Sequence, residues 1–166
     1  MFRRLLSAAA AALLSAPAPA AAQASQGQRP VGFTVSASLG GGGQLGTGSA
    51  YEPPALLELE ATAGYYVGLG LAPELSLALG LSPGTYVAFR LGVHWAIPET
   101  PFYLRGALDA SSQTGSLDWR WFLVGGGFEL RLTDVVGFFA EGDTGFPVVA
   151  GAGVPLMLRA GAFFSF

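Results

Sequence analysis

The sequence contains no cysteine and no lysine, a single histidine, and only 11% charged residues in 166. Without thiols there is neither a disulfide framework nor a thiolate metal site. One histidine, His94, cannot build a zinc centre by itself. A chain so poor in basic residues is no partner for nucleic acid. No apolar run reaches the ~20 residues that a membrane-spanning helix needs.

What is present begins at the amino end. Met1-Phe2-Arg3-Arg4 precedes an apolar stretch from Leu5 to Ala16 and a small-residue segment from Pro17 to Ala24. That order predicts a secretory signal peptide over residues 1–24, with A-x-A cleavage sites after Ala22 or Ala24. The barrel domain expected over residues 25–166 then has six arginines against eleven acidic residues, a net charge of −5. About 142 residues make one domain.

Half of the chain is hydrophobic (51%), yet its apolar residues are spread along short alternating runs. Period-two alternation bounded by Gly, Pro and Ser predicts eight strands. They are expected at Pro30 to Gly40, Ala55 to Leu71, Leu75 to Leu81, Thr85 to Ile97, Phe102 to Ala110, Trp119 to Leu132, Val135 to Asp143 and Val154 to Phe166. Tight turns are expected at Ala72-Pro73-Glu74, Pro98 to Pro101 and Thr133-Asp134. They alternate with wider connections at Gly41 to Pro54, Ser82 to Gly84, Ser111 to Asp118 and Thr144 to Gly153. Short turns on one side and longer loops on the other are the signature of an up-and-down transmembrane barrel.

Parity separates two faces. One is apolar, with Phe33 and Val35, Leu75 through Leu81, and Phe89 through Ile97 at alternate positions. The other carries Glu58, Glu60, Arg90, His94, Arg105, Asp109, Glu129, Arg131, Glu141 and Arg159 among Gly, Ala and Ser. A soluble ligand-binding barrel would turn the charged face to water, but a water-facing surface is about a quarter to a third charged, and this one is mostly small residues. The charged face is therefore expected to line the lumen. Trp95, Phe102, Phe164 and Phe166 at one rim, and Trp119 and Phe122 at the other, are candidate interfacial girdles.

The last strand, Leu158 to Phe166, places apolar residues at every second position counting back from a terminal Phe. This resembles bacterial outer-membrane barrels, and the pattern over the whole chain after the signal peptide is similar to the small OmpA- and OmpX-type barrels without a C-terminal soluble domain. The resemblance implies an all-β, eight-stranded antiparallel barrel. It also implies that Phe164 and Phe166 form the signal read by the barrel-insertion machinery, and that lipid and lipopolysaccharide are its surroundings. No peptidoglycan tether carries over.

If Ile97 pairs with Phe102, Arg90 faces Asp109 and His94 faces Arg105. The expectation is a paired Arg/acid network plugging a lumen that eight strands leave just wide enough for side chains. The alternatives are a narrow ion-conducting pore and a lipid A-modifying enzyme. His94 lies on the order of 25 Å below the outer loops, out of reach of outer-leaflet lipid, so no catalytic residue, cofactor or metal is assigned. Gly40 to Gly46 lacks the Gly-Lys-Ser/Thr of a phosphate loop. Arg120 has membrane-facing parity, from which it would meet lipid phosphate.

Overall fold

The computed structural model describes residues 31–45, 55–82, 85–112, 117–149 and 153–166. The expected signal peptide, both cleavage sites and the Pro83-Gly84 turn lie outside the described residues. Eight strands follow one another in the chain: β1 (Gly32–Leu45), β2 (Ala55–Tyr66), β3 (Leu71–Ser82), β4 (Tyr86–Ala96), β5 (Phe102–Ser112), β6 (Asp118–Arg131), β7 (Val136–Pro147) and β8 (Val154–Ser165). Each pairs antiparallel with its neighbour, and β8 pairs with β1 to close the barrel. Closure leaves no sheet edge, so every strand finds backbone partners on both sides.

The alternation of the sequence becomes the wall of the barrel. Leu75, Leu77, Leu79, Phe89, Leu91, Phe128 and Phe138 point outward and are exposed, whereas Ala78, Ala88, Ser76 and Arg90 point inward and are buried. Water would penalise such an exterior, and hydrocarbon would not.

Three connections at one end, here the turn end, are tight. The first is not where the sequence led us to expect it. β2 stops at Tyr66, Val67 N–H donates to Leu71 O at 2.9 Å, and Leu71 N–H donates to Gly68 O at 3.0 Å. Gly68, Leu69 and Gly70 all have positive φ, at 110°, 53° and 75°. Two glycines make that run of left-handed backbone accessible, so the chain reverses there and not at Ala72-Pro73-Glu74. Pro73 instead sits inside β3, just beyond the last β2–β3 pair, Gly64 with Glu74, where a missing N–H disturbs only one ladder. A Cβ on Gly70 would lie 2.2 Å from Ala96 O. Gly70→Ala should therefore cost about 1–3 kcal/mol of stability, read as a lower urea midpoint of the folded, heat-modifiable gel band.

Other boundaries also shift. β1 runs through the glycines to Leu45, because Gly40 to Gly43 pair with Arg159 to Leu156 on β8. β7 continues past Asp143 to Pro147 and is still paired with β6 at that point. β4, β5, β6 and β8 differ from expectation by one or two residues at their ends. Between β5 and β6 the register slips: Asp109 pairs with Trp121, Ala110 with Trp119, and Arg120 is the extra residue of a bulge. Arg120 is consequently buried (4% exposed) and lines the lumen beside Trp121, which corrects its expected membrane-facing position.

Candidate functional site

The interior is organised around three arginines on three strands, Arg90 and Arg159 buried and Arg105 partly so. Arg90 of β4 donates through Nη1 and Nη2 to both oxygens of Glu58 at 2.8 and 2.9 Å, through Nη1 to Glu60, and through Nε to Asp109 Oδ2 at 2.9 Å. Arg159 of β8 donates to Glu58 Oε1 from Nε at 3.1 Å, to Glu141 Oε1 from Nη1 at 2.8 Å, and to Asp143. Arg105 of β5 donates to Glu60 Oε1 at 2.7 Å, to Glu141 Oε1 at 3.0 Å, to Ser76 Oγ at 2.7 Å, and to Glu74.

Traced through these bonds, the six groups Arg90, Glu58, Arg159, Glu141, Arg105 and Glu60 form a closed ring in which cation and carboxylate alternate. Each of the three bridging glutamates accepts from two guanidiniums. Each arginine holds one further acid outside the ring, Asp109 on Arg90, Glu74 on Arg105 and Asp143 on Arg159. Charge-assisted bonds of this kind are about twice as strong as neutral ones. They are also what allows ions to leave water at all, since an unpaired buried charge costs several kcal/mol.

Tyrosines and hydroxyls complete the ring. Tyr86 donates to Glu58 Oε2 at 2.7 Å and Tyr103 to Glu141 Oε2 at 2.8 Å. Thr62 donates to Glu60 Oε1 at 3.2 Å. Small residues make room for the guanidiniums: a Cβ on Gly40 would lie 2.8 Å from Arg159 Cγ.

Of the residues singled out from the sequence, Glu58, Glu60, Arg90, Arg105, Asp109, Glu141 and Arg159 meet in this network. Arg90 stands opposite Asp109, and His94 opposite Arg105. His94 and Glu129 lie nearer the turn end, with Nε2 to Oε1 at 3.4 Å, and the imidazole stacks on Tyr103 at 4.4 Å between centroids. Arg131 does not reach the ring. It lies at the rim, 5.2 Å above the Phe163 ring, and donates to Asp134 O at 3.2 Å. Phe164 and Phe166 are exposed at the same end, where Phe166 exchanges two backbone bonds with Phe33 at 2.8 and 2.9 Å.

Glu74, Asp143, Tyr86 and Tyr103 were absent from the expected set. Parity carried the signal, because Glu74 is two residues from Ser76, Asp143 two from Glu141, Tyr86 four from Arg90 and Tyr103 two from Arg105. Glu74 falls in an expected turn and Asp143 at an expected strand end, and tyrosine reads equally well as an interfacial aromatic. Two water-sized cavities flank the ring, one of about 40 Å³ toward the turn end, beside Glu74, Glu129 and His94, and one of about 20 Å³ toward the loop end, beside Asp143, Ser111 and Gln44.

An apolar exterior, an even strand number, tight turns at one end and a charge-filled lumen make this the fold of the small eight-stranded outer-membrane barrels. Among solved structures, the N-terminal barrel domain of Pseudomonas aeruginosa OprF superposes with a TM-score of 0.59 at 14% identity, over 82% of this chain and 100% of that one. OprG from the same organism gives 0.57 at 11% identity, covering 85% and 98%. Ail of Yersinia pestis, in complex with the heparin analogue sucrose octasulfate, gives 0.53 at 14% identity, covering 81% and 99%. No protein-family model matches the chain, and no curated protein is significantly similar to it in sequence.

Proposed function

We propose that the protein is an exported, integral outer-membrane barrel with a structural or surface-interaction role, its lumen plugged by the Arg/acid ring. One observation carries this reading: the wall is inverted, with the large apolar side chains outside and the charges sealed within. A soluble ligand-binding barrel would have the opposite arrangement. Lipid and lipopolysaccharide are the surroundings that suit the exterior, and the barrel-insertion machinery, reading Phe164 and Phe166, is the partner in biogenesis.

We read no enzymatic role. His94, the chain's one imidazole, is stacked in the lumen toward the turn end, where lipid of the outer leaflet does not reach. Any surface ligand meets the loops. Residues 41–54, 111–118 and 144–153 contain no arginine or lysine, so a polyanion such as the one bound to Ail is not the ligand proposed here.

Two measurements test the reading. Purified barrel in detergent should migrate faster in SDS before boiling than after, as a closed wall resists the detergent. In planar bilayers it should give no stable, sizeable openings, because the ring spans the lumen. Openings that respond to Arg90→Ala or Asp109→Ala would replace the plug with the narrow-pore reading, and solubility without detergent would sink the membrane assignment.

A further inference from the structure

The charge ring is neutral in itself: three guanidiniums alternate with Glu58, Glu60 and Glu141. The pendant acids Asp109, Glu74 and Asp143 are therefore surplus. Nothing else buried in the described lumen offsets them, because Arg120 at the loop end is matched in the count by Glu129 at the turn end. With all acids ionised and His94 neutral, the buried interior would carry a net charge of −3, an excess that a low-dielectric lumen disfavours.

The pendants also differ from the bridging glutamates in how they are bonded. Each bridging glutamate accepts from two arginines, and each pendant from one. Asp109 and Asp143, 1% and 8% exposed, each keep a buried Oδ1 with no hydrogen-bond partner. Asp143 lines the cavity of about 20 Å³, and Glu74 the cavity of about 40 Å³. Both cavities are large enough for a water-sized occupant. The three pendants are held by three different arginines, Asp109 by Arg90, Glu74 by Arg105 and Asp143 by Arg159, so a balancing charge is met at each one separately.

We propose that the lumen takes up three monovalent positive charges from solution, one at each pendant carboxylate, Asp109, Glu74 and Asp143. The shared chemistry is a single positive charge of at most water size, supplied as a proton or as an alkali cation. The proposal rests on the plugged-lumen reading, but its test is separate: bilayer recordings decide conduction, whereas the titration below is read on folded protein in detergent.

The groups facing each pendant are Arg90, Glu58, Tyr86 and Ser111 at Asp109, Arg105 with Glu60, Glu141, His94 and Glu129 at Glu74, and Arg159, Arg90 and Arg105 with Glu141, Glu58 and Arg120 at Asp143. The experiment compares the full barrel with the triple variant Glu74→Gln, Asp109→Asn, Asp143→Asn. Urea unfolding is followed from pH 6 to 9 at fixed sodium chloride, and again at fixed pH with choline replacing sodium. Carboxyls of the unfolded chain titrate near pH 4 and are ionised throughout this window. Protons held only by the folded barrel make stability fall as pH rises, and the unfolding constant grows by up to about tenfold per pH unit for each proton held.

Protons are the occupant if the wild type has this slope, the triple variant has lost it, and choline changes nothing. Alkali cations are the occupant if the wild type weakens in choline and the variant does not. The single variants Asp109→Asn and Asp143→Asn should each remove about a third of the effect, which keeps the test decisive if the triple variant does not fold. Identical pH and cation dependence in wild type and variants overturns the proposal.

Discussion

An Arg159→Met barrel should unfold at a much lower urea concentration than the wild type, with a loss of about 3–5 kcal/mol. Arg159 is 3% exposed and holds Glu58, Glu141 and Asp143 at once. The methionine fills much of the same volume, so little of the loss comes from packing. It comes from Glu58 and Glu141 each losing one of two guanidiniums and Asp143 losing its own, inside a lumen that offers little water in exchange. The ring is opened at two of its links, and the two remaining arginines, bonded from the opposite side, are too few for the acids that stay. Arg131→Met is the matched control. Arg131 sits at the rim, partly exposed, where its contacts include a backbone carbonyl and a ring face, and a charge that reaches water there should cost less to remove, within about 1 kcal/mol. Equal losses in the two variants would mean that the ring contributes nothing specific to stability.

The second large effect should come from Gly80→Ala. Gly80 pairs with Tyr86, and the phenol ring lies against the bare backbone. A Cβ at Gly80 would stand 2.0 Å from Tyr86 Cε1 and 2.1 Å from Cδ1. One methyl must therefore displace an aromatic ring whose hydroxyl is anchored to Glu58 at 2.7 Å. Overpacking of this kind costs about 1–3 kcal/mol, and the severed bond to a charged acceptor costs about 1.5–3 kcal/mol; because the two share one side chain, the expected sum is about 3 kcal/mol. The cause can be isolated with a double-mutant cycle: in a Tyr86→Ala background the same Gly80→Ala change should be nearly silent. A full penalty in that background would show that the clash is with the wall and not with the ring.

The faces of the barrel were legible from the sequence because period two is rigid. Once Leu75, Leu77, Leu79 and Leu81 were placed outward, Ser76 and Ala78 had no choice. The opposition of Arg90 and Asp109 followed from a single tight turn between Ile97 and Phe102. Connections made by positive φ were less legible, since Gly68 and Gly70 looked like strand interior while Pro73 looked like a turn. The bulge at Arg120 was invisible, as nothing in Trp119-Arg120-Trp121 announces an extra residue. The ring itself was out of reach for a different reason. Register relates a strand only to its two neighbours, whereas Arg105 on β5 meets Glu60 on β2 across the lumen, and such contacts depend on side-chain length and on the space that glycines leave.

The bulge between β5 and β6 divides β6 into two segments that are out of phase. Trp119 lies outside the wall and Trp121 inside it, although two residues apart on one strand they would ordinarily share a side. For anyone wishing to transplant a foreign loop onto this scaffold, the slip fixes where the splice must fall. A junction at Asp118 or beyond it toward the loop leaves the numbering of inside and outside intact. One made below Trp121 that restored regular alternation through Trp119-Arg120-Trp121 would turn the upper part of β6 inside out, presenting Arg120 to hydrocarbon.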